Sequence, residues 1–555
     1  MFKKKLLPLA LLALSPSLFA QQAPNAGSQL QQIPPAPVQT KEIPNIRLEP
    51  STAPVSAASD AVKVTVNSLR ISGAHIYPQA ELLALTGFKP GSELTLGELR
   101  GMALKITQHY RDAGYFVALA YLPAQEISNG AVTIAVTEGQ YGKVEVRNQS
   151  HLSDALINSQ LDGLNTGYAI AIAPLESRLL LLSDIPGVKV SSTLTPGAVA
   201  GTSDLIVDVT PGQRVTGSID VDNAGNRYTG ENRLGATVNL NNAAGLGDVA
   251  SLRVLTTGKG LNYARGSYQL QLGKATVGAA YSWLEYELGK EFASLQAHGT
   301  AKVASVYGSY PLIRSRNTNL YAQLGYDHKV FQDEVDSTAT VTDRKAQVLM
   351  ATLRGDHRDS LGGGGLSSYA LTGTAGNIDI ETPAMRTFDA ATAKTQGHYS
   401  KVGFSAMRLQ SVTDIVSLYA GINGQVASKN LDSSEKMQLG GMNGVRAYPE
   451  GEAYADEGYL ATLEARVQMF KYSQRMPGQL QLIGFVDGGS VKINKTPWAA
   501  GNNRRSLSGA GVGLSWSKYN DYLVRAYYAR KLGSGAALSA PDKDGRFWIQ
   551  AVKYF

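Results

Sequence analysis

Apolar and polar residues alternate with a period of two along much of the last three-fifths of the chain. The pattern is typical of β-strands that present one apolar face and one polar face. Short turn-like segments rich in glycine and asparagine separate the runs, which predicts an all-β unit from residue 213 to 555. Four segments show the alternation most clearly: RVTGSIDVD (214–222), RLGATVNLN (233–241), YARGSYQLQL (263–272) and YLATLEARVQM (459–469).

The polar faces of these strands indicate which β-architecture is present. They carry charged and amide side chains, including Arg265, Gln269, Gln271, Glu464 and Arg466. In a soluble sandwich, one face of each sheet must pack against a partner sheet. That arrangement does not account for strands that all have one apolar face and one face rich in charged and amide side chains. A membrane barrel with a wet lumen does, because lipid contacts the apolar face and no strand edge stays open. We therefore predict about sixteen antiparallel strands around an aqueous channel.

Two shorter α+β modules are predicted ahead of the barrel, each in the order strand, helix, helix, strand, strand. Thr95 and Glu98 have the spacing of a capping box at the start of an amphipathic helix. A repeated supersecondary unit of this size is typical of tandem recognition modules. The predicted elements of the first module, 61–139, are a strand with Val64, Val66 and Leu69, helices at 77–85 and from 95 to 114, and strands at 116–122 and 131–138. Those of the second, 140–212, are a strand at 143–146, helices at 154–160 and 175–183, and strands at 188–194 and 205–209.

The N-terminal residues predict export from the cytoplasm. Lysines at positions 3–5 precede an apolar run at 6–14 and a small residue at Ala20, which is typical of a secretory signal peptide over 1–20. No later stretch has the eighteen or so apolar residues of a membrane-spanning helix. Residues 21–60 are rich in Pro, Gln, Ala and Ser without periodicity, which predicts a flexible linker.

Composition narrows the chemistry. There is no cysteine, so disulfides and cysteine-based metal or thiol chemistry are excluded. The formal net charge of +7 is mild and scattered, which does not indicate a nucleic-acid partner. The 58 glycines, and 27 tyrosines against 12 phenylalanines, suit tight turns and aromatic residues at a water–lipid boundary.

Enzyme motifs are missing from the sequence. The seven histidines form no HExxH motif, and the chain has neither a GxSxG motif nor a nucleotide-binding P-loop. We interpret the charged run from Asp356 to Asp359 as the solvated end of a strand. We therefore expect no enzymatic activity, no cofactor and no metal site.

Six segments, in this order along the chain, carry a family resemblance. They are YPQAELLAL (77–85), HYRDAGY (109–115), VDNAGN (221–226), NLNNAAGLGD (239–248), VRAY (445–448) and FVDGG (485–489). Together with the modular order, they resemble the two-partner secretion transporters of the bacterial outer membrane, the TpsB family. The resemblance implies a fold class: a transmembrane β-barrel of about sixteen antiparallel strands preceded by two periplasmic α+β POTRA domains.

The resemblance also implies a function. It predicts an outer-membrane pore that recognises a large unfolded exoprotein of the TpsA type, such as a haemolysin, adhesin, toxin or haem-acquisition protein, and moves it from periplasm to cell surface without ATP. The implied partners are this exoprotein, outer-membrane lipid and lipopolysaccharide, and the barrel-assembly machinery. POTRA sheet edges would bind the exoprotein by strand addition, and a short helix near 27–32 would enter the pore. An insertase of the barrel-assembly type is the alternative.

The candidate functional site lies in the barrel. In the family, a long loop, here about 428–456, folds into the lumen and carries a tetrad that corresponds to Val445, Arg446, Ala447 and Tyr448, with Ala447 at a glycine position. The barrel-wall motif corresponds to Phe485, Asp487 and Gly489. In QLQLIGFVD (479–487) the parity of the residues independently places Asp487 on the lumenal face. The resemblance pairs Arg446 with Asp487; the alternative is a solvated loop arginine and a turn aspartate.

Overall fold

The computed structural model of the protein describes residues 24–39, 45–48, 63–469 and 477–555. The predicted signal peptide lies outside these ranges, as does most of the predicted linker. None of the helices in the described ranges combines the length and hydrophobicity that a membrane-spanning helix requires. Two short elements come first in the chain: helix α1 (Ala26–Gln31) and strand β1 (Asn45–Leu48).

The first α+β unit packs two helices against small sheets. Its elements are β2 (Lys63–Val66), β3 (Ser68–Ser72), α2 (Gln79–Thr86), β4 (Ser92–Thr95), α3 (Leu96–Asp112), β5 (Leu119–Tyr121) and β6 (Ala131–Thr137). Strands β3, β6 and β5 form one sheet, and β2 pairs with β4 in another. The predicted capping box at the start of α3 is confirmed, because Glu98 N donates to Thr95 Oγ1 at 3.1 Å and Thr95 N donates to Glu98 Oε2 at 2.7 Å.

Three details of this unit differ from the prediction. The single strand predicted with Val64, Val66 and Leu69 is divided into β2 and β3, which lie in different sheets. The run 116–122 is a strand only over β5, and β4 was not predicted. Strand β4 has the sequence SELT, too short and polar for a period-two signal, and it is defined by pairing with β2. A strand held mainly by its neighbour leaves little trace in its own sequence.

The second α+β unit has the predicted order strand, helix, helix, strand, strand, without counterparts of β2 and β4. It contains β7 (Gln140–Asn148), α4 (Asp154–Leu161), α5 (Ile172–Ser183), β8 (Val188–Pro196) and β9 (Thr202–Pro211). Its sheet has the order β1-β8-β9-β7, so the N-terminal strand β1 forms one edge, parallel to β8. Fully buried Leu175, Leu179 and Leu182 on α5 pack against the sheet.

Sixteen antiparallel strands form a closed barrel, as predicted, and β10 pairs with β25 to complete it. Helix α6 (Pro383–Ala391) lies in the connection between two of them. The strands are β10 (Val215–Asp222), β11 (Arg233–Asn241), β12 (Val249–Thr256), β13 (Leu261–Leu272), β14 (Ala275–Glu287), β15 (Ala297–Arg314), β16 (Thr318–Val335), β17 (Thr340–Asp359), β18 (Gly365–Ile380), β19 (Gly397–Ser411), β20 (Val416–Ala427), β21 (Glu457–Gln468), β22 (Gln479–Lys492), β23 (Arg504–Lys518), β24 (Tyr522–Lys531) and β25 (Gly545–Tyr554).

Side chains divide between the two faces of the barrel as the alternation predicts. Ile219 and Leu234 point outward and are half exposed, whereas Asp220 and Arg233 on the same strands are buried inside. The outer face is therefore apolar where lipid would contact it, and the lumen is polar.

The second α+β unit is attached to one end of the barrel by ionic contacts. Arg314, at the end of β15, donates to both carboxylate oxygens of Asp184 at 2.7 and 2.9 Å. Arg316 forms a further ion pair with Glu176 on α5 at 3.0 Å. A bidentate arginine–carboxylate contact fixes orientation as well as distance. These contacts set the second unit at the barrel entrance.

Candidate functional site in the barrel lumen

The connection between β20 and β21, the eleventh and twelfth barrel strands, folds back into the lumen. Its residues 430–452 are almost entirely buried. Leu439, Val445 and Tyr448 pack against wall residues Phe485 and Trp548 in one apolar cluster. The loop is rich in glycine and charged residues, but its few apolar side chains are buried because the barrel wall packs against them.

Arg446 lies at the centre of this contact. Its Nε donates to Asp487 Oδ2 at 2.9 Å and its Nη2 to Asp487 Oδ1 at 2.8 Å. The backbone N–H of Arg446 also donates to Asp487 Oδ2, at 3.1 Å. Nη1 donates to Glu464 Oε1 at 2.8 Å. The structure therefore brings together the two residues that the family resemblance pairs, in the bidentate geometry that suits a guanidinium and a carboxylate.

Aromatic rings complete the surroundings of the guanidinium. Its central carbon lies 3.5 Å from the centre of the Phe485 ring and 5.0 Å from that of Tyr527. Trp548 Nε1 donates to the carbonyl oxygen of Arg446 at 2.7 Å. Arg446 and Asp487 are 5% and 0% exposed, so their contact is shielded from competing water.

The remaining predicted site residues also lie at this contact. Ala447, at the family's glycine position, keeps a φ outside the left-handed region, so glycine's freedom is not needed there. The methyl group of Ala447 needs space beside the barrel wall, and Gly509 provides it because it has no side chain. A Cβ built on Gly509 would lie 2.5 Å from Ala447 Cβ. Tyr448 donates its hydroxyl to Gly535 O at 2.9 Å. At Gly489 a Cβ would overlap the Leu439 side chain of the loop.

Sequence reasoning did not identify several members of this site. The alternation places Glu464 on the lumenal face but not beside Arg446, and it does not distinguish Thr462, which donates to Asp487 Oδ1 at 3.0 Å. Both share the parity of lumenal residues on β21, and both lie close to Asp487 across the β21–β22 pairing. The alternation of lumenal and outward residues along β21, combined with the register of β21 against β22, is the signal that identifies Glu464 and Thr462 as neighbours of Asp487. Tyr527 and Trp548 depend on barrel closure, which no local pattern encodes.

Helix α1 lies in the lumen between the wall and the base of the loop, one residue earlier than the helix expected near 27–32. Ala26 N donates to Asp333 Oδ1 at 2.7 Å, and Ser433 Oγ donates to Asn25 Oδ1 at 2.8 Å. Gly27 allows this close approach, since a Cβ there would lie 2.8 Å from Ser433 Oγ.

The base of the loop has its own ionic contacts with the wall. Arg344 donates to Asp432 at 2.5 Å, and Lys329 donates to Glu435 at 2.8 Å. The loop is therefore held at two levels, at its base by these pairs and at its tip by Arg446.

The charged run that the sequence analysis treated as a strand end lies at the end of β17. Asp359 pairs with Arg408 at 2.8 Å.

A group of potential metal ligands lies near the opposite end of the barrel. Its potential ligand atoms lie within 4.8 Å of one another and belong to His298, Glu334 and Asp336. No local sequence pattern marks this group, because its members are close only through the pairing of β15 with β16.

Comparison with known proteins supports the same assignment. Residues 201–516 match the family model of haemolysin secretion/activation protein ShlB/FhaC/HecB, and residues 64–139 match the ShlB-type POTRA domain. The heme/hemopexin transporter protein HuxB of Haemophilus influenzae (strain 86-028NP) is 31% identical over 84% of this chain and 82% of that protein.

Two solved structures show the fold. CdiB from Escherichia coli has a TM-score of 0.70 at 21% identity and covers 91% of this chain and 93% of its own. BamA from Haemophilus ducreyi lacking POTRA domains 1–3 has a TM-score of 0.51 at 15% identity and covers 89% and 100%; this likeness extends to the fold alone. Curated relatives also include CdiB outer membrane transporters.

The closed barrel, the lumenal loop and the matched family together place the protein in an outer membrane, with its N-terminal units in the periplasm. They also establish its function, which is translocation of a partner exoprotein to the cell surface. The chain belongs to the haemolysin secretion/activation proteins of the ShlB/FhaC/HecB family, the outer-membrane transporters of two-partner secretion.

Proposed function

We propose that the contact between Arg446 and Asp487 is a reversible lock that holds the loop of residues 428–456 in the lumen between export events. The observation that carries this proposal is the buried bidentate pair, made between a loop residue and a wall residue rather than within the wall. An extended chain cannot pass while the loop and α1 fill the lumen, so both must move during export.

The chemistry of the lock suits reversible opening. Its charged groups are fully paired when the loop is in place, and each can be hydrated once the loop moves into the wet part of the lumen. A buried ion pair contributes little net stability compared with its hydrated components, but one partner left alone is strongly unfavourable. The loop therefore has one well-defined resting position without being held irreversibly.

No nucleotide drives this movement in our proposal. The periplasm lacks ATP and the sequence has no P-loop, so folding of the exoprotein outside the cell would draw the chain through. Export of an exoprotein fragment into nucleotide-free proteoliposomes tests the lock and the energy source together. The natural chain is expected to export, and an Arg446→Ala variant is expected to fail.

The sheet edges at β5 and β7 in the N-terminal units are protected against addition of an exoprotein strand. At β5, Ala120 N donates to Thr107 Oγ1 on α3 at 2.9 Å, so a side chain already satisfies the edge. At β7, Tyr141 N donates to Tyr168 O at 3.0 Å. Hydrogen bonds from Lys143 and Arg147 hold the pKa of Glu145 at about 2, so this strand keeps its alternating charges at periplasmic pH. Charged edges disfavour strand addition.

The β8 edge demonstrably accepts a strand, because β1 occupies it in parallel, with Ile46 opposite Ser192 and Arg47 opposite Thr193. We assign exoprotein capture to this edge, with the incoming strand replacing β1. Main-chain hydrogen bonds give such binding its affinity and make it tolerant of sequence.

Replacing both Ile46 and Arg47 with proline should strengthen exoprotein binding. Proline has no N–H, so β1 can no longer pair fully with β8 and competes less well. Loss of one or two hydrogen bonds of about 1 kcal/mol each predicts an affinity gain of roughly 5- to 30-fold. The measurement is the Kd of the full chain for the purified N-terminal domain of its exoprotein. Proline substitutions at Val38 and Gln39, before the pairing begins, are the matched control, and an unchanged or weaker affinity in the Ile46/Arg47 variant would contradict the assignment.

The remaining assignments complete the proposal. We assign 1–20 as signal peptide, 21–60 as plug helix and linker, 61–139 and 140–212 as the two POTRA domains, and 213–555 as the barrel. The outer apolar face would contact lipid and lipopolysaccharide, and insertion would use the barrel-assembly machinery. Similarity to a heme/hemopexin transporter favours a haem-acquisition protein as the exported partner. We propose no enzymatic activity.

A further inference from the structure

A cavity of about 710 Å³ lies in the lumen beside the tip of the loop. Met442, Asn443 and Gly444 of the loop line one side, and wall residues from β16 to β24 line the others. An exported chain that passes the displaced loop tip would have to cross this space. The chemistry of its lining therefore bears directly on what the pore accepts.

Arginine–aromatic pairs surround the cavity. The guanidinium of Arg354 lies 5.6 Å from the centre of the Tyr321 ring, and that of Arg466 lies 4.7 Å from Tyr419. Arg446 makes the third such pair, with Tyr527. A guanidinium held against a ring keeps its N–H edge free for planar acceptors such as carboxylates.

The lining carries more positive than negative groups. Four arginines face two carboxylates, those of Asp356 and Glu464. Glu464 is used by Arg446 and Arg466, and Asp356 accepts from Asn319 Nδ2 at 2.9 Å.

Two of the arginines are not neutralised. Within the described ranges, neither Arg354 nor Arg525 lies in an ion pair. Arg525 donates from Nη2 to Gln550 Oε1 at 3.0 Å, and its side chain, like that of Arg354, borders the cavity. Guanidinium N–H groups that face the cavity can donate to an acceptor that enters it.

We propose that this cavity is a carboxylate-binding site on the translocation path, in which Arg354 and Arg525 hold acidic side chains of the exported polypeptide. The inference rests on the proposed function and adds a substrate preference to it. The two arginines stand on different walls, β17 and β24, so an extended chain between them can be held from both sides. The rings of Tyr321 and Tyr419 offer flat surfaces to its apolar side chains.

The preference follows from the sign of the charge. In a lumen less polar than bulk water, attraction between guanidinium and carboxylate is stronger than at a surface, and a lysine side chain meets repulsion in the same place. Acidic segments would thus pause in the pore, whereas basic segments would cross it without being held. The site discriminates by charge and by planar acceptor geometry rather than by sequence.

The test uses the purified full chain in nonionic detergent and a fluorescent decamer of glutamate with blocked termini. Fluorescence anisotropy is expected to show saturable binding of the glutamate decamer, and none of matched glutamine or lysine decamers. An Arg354→Gln/Arg525→Gln variant should bind the glutamate decamer at least about tenfold more weakly, because two charge-assisted contacts are lost. The matched control is Arg70→Gln/Arg111→Gln, which removes two exposed arginines from the first unit.

Equal binding of glutamate and lysine decamers would overturn the inference, as would natural affinity in the Arg354/Arg525 variant or an equal loss in the control. Secretion of the exoprotein by the same variants separates this result from the proposed function. If export depends on Arg446 but glutamate binding is absent, the transporter mechanism stands and the carboxylate site does not.

Discussion

Export of the exoprotein should fall at least about tenfold when Arg446 is replaced by alanine, while the barrel stays folded and inserted. The substitution removes three hydrogen bonds from the Arg446 side chain to wall carboxylates and the stacking on Phe485. It also leaves Asp487 without its cation, whereas Glu464 keeps its ion pair with Arg466. An unpaired buried charge costs about 3–5 kcal/mol. The loop would lose its single resting position and obstruct the lumen in several others.

The measurement is transfer of an exoprotein fragment into nucleotide-free proteoliposomes, scored as protection from added protease. Arg386→Ala is the matched control, because Arg386 lies on α6 and its ion pair with Asp379 is half exposed, where such a pair is worth little. Electrophoretic mobility without heating reports whether each barrel is folded. Undiminished transfer by a folded Arg446→Ala chain would contradict the role of the lock.

A Gly27→Leu substitution is expected to open the pore to ions. A leucine side chain cannot occupy this position beside Ser433 and Ser434, whose atoms would lie 2.8 to 3.0 Å from its Cβ. Overpacking of this kind costs about 1–3 kcal/mol, enough to compete with the few hydrogen bonds that hold a six-residue helix in place. Helix α1 should leave the lumen, and the barrel should then conduct.

Planar-bilayer recording measures this directly, with a several-fold rise in mean conductance as the expected result. Gly101→Leu provides the matched control, since Gly101 lies on α3 with no atom within 4 Å of a built Cβ. Conductance that stays at the natural level in the Gly27→Leu chain would show that α1 does not close the channel.

Features that depend only on the residues of one short segment could be predicted from the sequence. Period-two alternation identified the barrel, and parity alone placed Asp487 in the lumen, because each strand must satisfy lipid on one face and water on the other. The capping box at Thr95 was also local. The family resemblance, not the pattern, paired Arg446 with Asp487.

Features that depend on distant partners could not be read from the sequence. Strand β1 pairs with the β8 edge, and the alternation of its four residues, NIRL, is too short to identify a strand without knowledge of that pairing. The cavity arginines Arg354 and Arg525 are separated by about half of the barrel sequence and share a space only after the barrel closes. The space that Gly509 leaves for Ala447 likewise requires knowledge of where the loop rests.

The most direct test of the loop's position and movement uses a disulfide between residues 447 and 509. The chain has no cysteine, and the contact between Ala447 and Gly509 is close enough for a disulfide after a small shift of the loop. An Ala447→Cys/Gly509→Cys chain is expected to crosslink in the outer membrane, to lose export, and to regain it on reduction. A chain that fails to crosslink, or that crosslinks and still exports, would contradict a loop that rests on the wall and must leave it.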